Sequence, residues 1–207
     1  MSTSAYPDVM ADVYHHGSLR QALLDEARRV LLDRGSEAVT LRELARRTGV
    51  SHGAPARHFA DRDELLDALA AQGFDELSRQ LERAATDGDM TERFRSYAHA
   101  HVRFALSTGP LMDLMFSRIA VHPGRPPTAA TDAAGRFFAL GARLLGERDP
   151  SRVSPLPYLL AGTLEGISAL AASGRLPQDR VAEVTDAAVS MLMPVIRGRL
   201  GNDPAGG

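Results

Sequence analysis

The stretch from Thr40 to Arg62, TLRELARRTGVSHGAPARHFADR, admits few folds. Thr40 followed by Glu43 has the pattern of a capping box, in which the hydroxyl takes a free N–H of the first turn and the carboxylate reaches back to the cap. Leu41, Leu44 and Ala45 then share one helical face, while Arg42, Arg46 and Arg47 fall on others. Gly49 supplies a turn, Val50 can plug the angle behind it, and Ser51 caps a second helix. That second helix is too short and too poor in large apolar residues to stand alone, so its neighbours must hold it. The pattern is that of a helix-turn-helix, whose second helix enters a DNA major groove. Arg57 has the fork to pair with guanine there, and His52 and His58 can donate or accept at base edges. Gly53 lets the backbone approach closely, and Ala54 or Ala56 can meet a thymine methyl. Pro55 is tolerated in the first turns of so short a helix and stiffens it.

Charge is compatible with this only locally. The chain of 207 residues has 24 Lys+Arg against 26 Asp+Glu, a formal net charge of -2. Within the opening stretch, Arg42, Arg46, Arg47, Arg57 and Arg62 oppose Glu43 and Asp61, a local excess of +3 suited to phosphate. All basic residues are arginine, which together with abundant Ala and Gly reads as the bias of a GC-rich genome. With no cysteine, disulfides and thiolate sites are excluded. No apolar run reaches the roughly 18 residues a membrane span needs, and the N-terminus lacks a signal-peptide pattern. A cytoplasmic, soluble protein is expected.

The rest of the chain reads as helices. Residues 1–17 carry Pro7 and Gly17 with little periodicity and are expected to be a flexible arm. Ser18 is placed to cap a helix with Leu19, Leu23, Ala27, Val30 and Leu31 on one face, ending near Gly35. Asp61 with Glu64 caps a long helix striped by Leu65, Leu66, Leu69, Gly73, Phe74, Leu77 and Leu81. Further helices are expected over Met90–Ser107, from Pro110, over Ala129–Glu147, over Tyr158–Ala172 and over Gln178–Leu200, with Pro194 kinking or ending the last near Met193. His122–Pro127 and Asp149–Pro157 read as loops and 201–207 as a disordered tail. No strand pattern appears. The expected fold is all-α with about nine helices: a helix-turn-helix DNA-binding domain at 18–62 and a larger ligand-binding and dimerisation domain at 63–200.

The runs LRQALLDEARRVLLDRG, VTLRELARRTGVSHGAPARHF and DRDELLDAL resemble the N-terminal DNA-binding domain of the TetR family of bacterial transcriptional regulators, over roughly residues 18–70. YAHAHVRFALSTGPLMDLMFS also looks like the start of the effector-binding domain in one TetR subgroup. The resemblance implies a three-helix head on a helical body that dimerises through its last two helices. It also implies operator binding relieved when a small molecule enters the body. The family's base-reading places fall on His52, Gly53, Ala54, Ala56, Arg57 and His58, beside the cap at Ser51. Thr40 and Arg42 match places that reach phosphate or a neighbouring base edge. Family members commonly carry Tyr where this chain has Ala56 and Lys where it has Arg62, both as phosphate contacts. Arg62 keeps the charge, whereas Ala56 loses both hydroxyl and ring. A helical ligand-binding protein of the same fold with impaired DNA binding is therefore the alternative.

Other constellations carry less chemistry. His15 and His16 diverge, and His99 and His101 fall on different helical faces, so no metal site is expected. GTLEGIS has no preceding strand and no following Lys, and no Gly-x-Ser-x-Gly turn exposes a nucleophile, so neither an enzyme nor a cofactor site is expected. Gly162 and Gly166 would instead let two helices approach. Phe74, Phe94, Phe104, Met112, Met115, Phe116, Phe137 and Phe138 form a Met and aromatic set suited to a core or an apolar pocket. From these, with polar candidates Tyr97, His101, Arg118 and Tyr158, the expected ligand site comprises Phe74, Tyr97, His101, Phe104, Met112, Met115, Phe116, Phe137 and Tyr158. Ala161, Leu164, Ile167, Ser168 and Ala171, with Val184, Ala188, Met191, Leu192 and Val195, make two apolar faces expected to form a homodimer's four-helix bundle.

Overall fold

The structure is a computed structural model that describes residues 9–119, 126–145 and 155–201. Among the described residues there are eight α-helices, three 3-10 turns and no strand. The chain separates into two compact units, Met1–Leu69 and Ala70–Gly207.

In the first unit, α1 spans Val9–Arg34 and is followed by a 3-10 turn at Ser36–Ala38, α2 at Leu41–Thr48, a 3-10 turn at Pro55–Arg57, and the start of α3, Arg62–Ala84. Helix α1 starts at Val9, nine residues before the Ser18 cap and inside the stretch expected to be an arm. Leu23, Leu24, Ala27, Val30 and Leu31 of α1 close over Val39, Leu44, Ala45, Phe59, Leu65 and Leu66, and all of these are buried. Thr40 caps α2 as expected, its Oγ1 accepting from the Glu43 amide at 3.2 Å. The carboxylate of Glu43 does not complete the box, because three arginines draw it away. Gly49 ends α2 in the left-handed region at φ 72°, which costs other residues steric strain.

The recognition segment departs from the expected helix. Ser51 caps nothing, and the only regular element is the single 3-10 turn over Pro55–Arg57. Pro55 has no N–H to give Ser51 O, and the bonds that form run Ala54 N to Ser51 O, Arg57 N to Ala54 O, and His58 N and Phe59 N to Pro55 O. Pro55 and Phe59 are buried and pin the segment from beneath, with the Arg20 guanidinium 4.9 Å over the Phe59 ring.

The second unit is built round α4, Met90–Ser107, which packs on α7, Leu156–Ala172, on α8, Val181–Gly201, and on α5, Gly109–Arg118. Helix α6, Ala129–Leu144, lies against α5 and α7. Asp89 and Glu92 make a complete capping box for α4. Pro194 does not end α8, which continues to Gly201. The proline is exposed, so water can serve the carbonyl that its ring leaves without a helical donor. The expected loop over His122–Pro127 and tail over 201–207 fall largely outside the described residues.

Gly73 lies on α3 where a Cβ would sit 2.6 Å from Met115 Sδ and 3.2 Å from Leu111 Cδ1. Gly73→Ala sets a gain in helix propensity against this overlap with a fully buried methionine. The overlap wins, and we expect a loss of about 1–2 kcal/mol in urea denaturation followed by helical circular dichroism. Combining it with Met115→Ala should show a favourable coupling between the two positions.

Candidate functional site

The surface of the first unit opposite its core gathers most of the residues expected to touch DNA. Ser51, His52, Gly53, Ala56 and Arg57 are exposed, and Ala54 and His58 are half-buried. Arg42 is exposed on the first turn of α2, next to the half-buried cap Thr40. Inward Pro55 and Phe59 alternate with outward His52, Gly53, Ala56 and Arg57, so the segment presents its small and hydrogen-bonding side chains to solvent.

Arg62 occupies a different place from the one its charge suggested. Its Nε donates to Val39 O at 2.8 Å and its Nη2 to Ser36 O at 2.6 Å, with Glu37 3.7 Å away. It thus ties the start of α3 to the loop before α2. Arg46 and Arg47 are likewise committed. Arg46 forms a fork on Glu43, with Nε 2.9 Å and Nη2 2.8 Å from its carboxylate oxygens. Arg47 donates to Glu26, which also accepts from Arg29 at 2.5 Å. Of the five arginines that made the local charge excess, Arg42 and Arg57 alone pair with no carboxylate or carbonyl among the described residues. The positive field of the surface is thereby concentrated on these two side chains.

These pairings move the acids. The Arg46 hydrogen bond, helped by the charges of Arg46, Arg34 and Arg47, takes the Glu43 carboxyl from 4.5 down to about 2. Hydrogen bonds from Arg47 and Arg29 hold the Glu26 carboxyl below its ordinary range despite its burial.

In the second unit, Phe74, Tyr97, His101, Phe104, Met112, Met115 and Phe137 are all buried, Phe116 is half-buried, and Tyr158 is exposed. Five rings are joined: Phe74 to Phe116 at 5.5 Å and to Phe137 at 5.8 Å, Phe137 to Phe138 at 5.1 Å, and Phe138 to Tyr158 at 4.7 Å. Burial alone raises the Tyr97 phenol, which lies against Gly141. The expected divergence of His99 and His101 holds. His99 Nε2 lies 2.9 Å from Asp186 Oδ1 on α8, and His101 Nε2 lies 3.0 Å from Glu165 Oε1 on α7. Glu165 was missed in the sequence, although a lone acid in an otherwise apolar helix was a usable signal.

The expected apolar face of α7 needs a correction, whereas Val184, Ala188, Met191, Leu192 and Val195 of α8 are half-buried or exposed. Ala161, Leu164, Ile167, Ser168 and Ala171 point into the core. The outward strip of α7 is instead Tyr158, Leu159, Gly162, Gly166 and Leu170, beside exposed Met191 and Val195 on α8. Helix α7 carries few polar residues, Glu165 its one acid, so periodicity was a weak guide to its inner side. A Cβ at Gly162 or Gly166 would meet nothing within 4 Å, so these glycines seat no helix of their own chain. No described helix is long and apolar enough to cross a membrane.

Residues 23–69 match the model of bacterial regulatory proteins of the tetR family. The chain is 30% identical over 183 residues to the HTH-type transcriptional repressor Rv1474c of Mycobacterium tuberculosis, covering 87% of this chain and 95% of the relative. A protein of unknown function from Rhodococcus sp. RHA1 superposes with a TM-score of 0.75 at 37% identity, covering 89% of this chain and 97% of the other. AibR, solved in complex with isovaleryl coenzyme A and operator DNA, shares the fold with a TM-score of 0.58 at 17% identity, over 85% of this chain and 98% of that one.

A carboxyl whose folded pKa is depressed adds stability above its unfolded pKa and loses it as pH falls through the folded one. For Glu43 that window runs from 4.5 down to about 2. Urea midpoints of the wild type should therefore fall through this window, and Glu43→Gln should flatten the part of the decline that belongs to this carboxyl.

Proposed function

The chain belongs to the TetR family of helix-turn-helix regulators, and from that premise we propose that it is a dimeric repressor released from its operator by a small effector. The observation that carries the DNA half is the recognition segment: a pinned turn that exposes His52, Gly53, Ala56 and Arg57 beside unpaired Arg42. Arg57 reads guanine through its fork, and Arg42 and the α2 cap at Thr40 meet the phosphate backbone. Arg62, half-buried, fixes the loop that carries Thr40.

The second copy packs on the outward strip of α7 and α8. Exposed Leu159, Met191 and Val195 are costly to leave in water, and Gly162 and Gly166 allow a close helix. The ring cluster of the second unit takes the effector. Release is a population shift: the effector favours a body conformation in which α3 carries the two heads to a spacing unsuited to the operator. The AibR structure supports the presence of an operator-binding site and a small-molecule site on one fold of this kind.

Fluorescence anisotropy on the DNA flanking the gene tests the reading. Specific, salt-sensitive binding is expected, and Arg57→Ala should weaken it by about tenfold to a hundredfold while scarcely changing binding to random duplex. Weak, sequence-blind binding by the wild type would favour a ligand-binding protein with an impaired head. The Met191→Asp variant, at a side chain 79% exposed, should sediment as a monomer at micromolar concentration where the wild type is a dimer.

A further inference from the structure

His101 sits on α4 with no exposure to solvent, and only half of its imidazole is used. Nε2 donates to Glu165 Oε1 at 3.0 Å, whereas Nδ1 has no hydrogen-bond partner among the described residues. A polar atom shut away from water without a partner is a cost that Leu or Phe at the same place would not incur. The fold itself draws nothing from Nδ1.

We propose that His101 Nδ1 is the polar recognition point of the effector site, and that the effector is an uncharged molecule carrying a hydroxyl on an otherwise apolar body. This rests on the reading of the second unit as the effector-binding part. In the neutral tautomer that donates Nε2–H to Glu165, Nδ1 carries a lone pair and asks for a donor. An anionic ligand brings a second negative charge beside the Glu165 carboxylate. An ammonium must shed its water where the nearest carboxylate is already taken by His101. A hydroxyl donates its proton at neither cost.

The walls fit such a body. The Phe137 ring lies 6.1 Å from the imidazole, with Phe74 and Phe116 beyond it at 5.8 and 6.3 Å from Phe137. A way in is marked by the rings themselves. Tyr158, 57% exposed, stacks on Phe138, Phe138 meets Phe137, and Phe137 meets His101.

The test uses the full chain with four probes that share one hydrocarbon body: 4-tert-butylphenol, tert-butylbenzene, 4-tert-butylbenzoate and 4-tert-butylbenzylamine. The phenol is expected to bind about tenfold or more tighter than the hydrocarbon. His101→Phe should abolish that advantage. In protein with nitrogen-15 histidine, the His101 Nδ1 resonance should move to the hydrogen-bonded position with the phenol and stay put with the hydrocarbon. Equal affinity for phenol and hydrocarbon, tightest binding of the benzoate or the amine, or an advantage that survives in His101→Phe would each overturn the proposal. If the variant fails to fold, a wild-type Nδ1 resonance that the phenol leaves unmoved overturns it alone. Should no probe bind while operator binding persists, this recognition point falls and the DNA reading stands. Absence of wild-type operator binding would strike the underlying reading instead.

Discussion

A carboxylate set into an apolar three-helix unit has to be paired, and Glu26 organises the head because it is. Only 8% exposed, it holds Arg29 on its own helix and Arg47 on α2. Glu43 does the same nearer the surface for Arg34, Arg46 and Arg47. Removing both arginines would leave the Glu26 carboxylate without a counterpart where it is largely buried, a larger penalty than the loss of an exposed pair. The same pairing shapes the outer surface, since each arginine held by a carboxylate has its charge offset there. What remains there is two guanidinium groups, Arg42 and Arg57, and small side chains.

Much of this was legible in the residues, and the exceptions have physical causes. The caps at Thr40 and Asp61 located the starts of α2 and α3 closely because they are local signals, made by neighbours within one turn. The recognition helix was overestimated, since Ser51 promised a cap that Pro55 prevents from opening a regular helix. Arg62 is expected at phosphate on its charge, and its bonds to carbonyls 23 and 26 residues earlier lie beyond the reach of any local pattern. The roles of α7 were reversed for a similar reason. A helix with so few polar residues has a weak pattern to orient it, and its neighbours decide which side is inside.

In the body, α4 is the element to which the others refer. His99 and His101 stand two residues apart and therefore turn to different neighbours, one to Asp186 on α8 and the other to Glu165 on α7. A short stretch of one helix thus touches by polar contact both helices whose outer sides are apolar and exposed. The aromatic cluster adjoins this stretch through Phe137 and the His101 ring. Whatever alters the packing of those rings also bears on the seating of α7.

The pinned turn at Pro55–Arg57 separates two jobs that helical elements commonly combine. Its shape is imposed from below by Pro55 and Phe59, so the outward residues at 52, 53, 56 and 57 owe the core little. Such positions can drift without tearing the fold. A lineage built on this head can therefore rewrite what its surface recognises one residue at a time, with each intermediate still a stable protein.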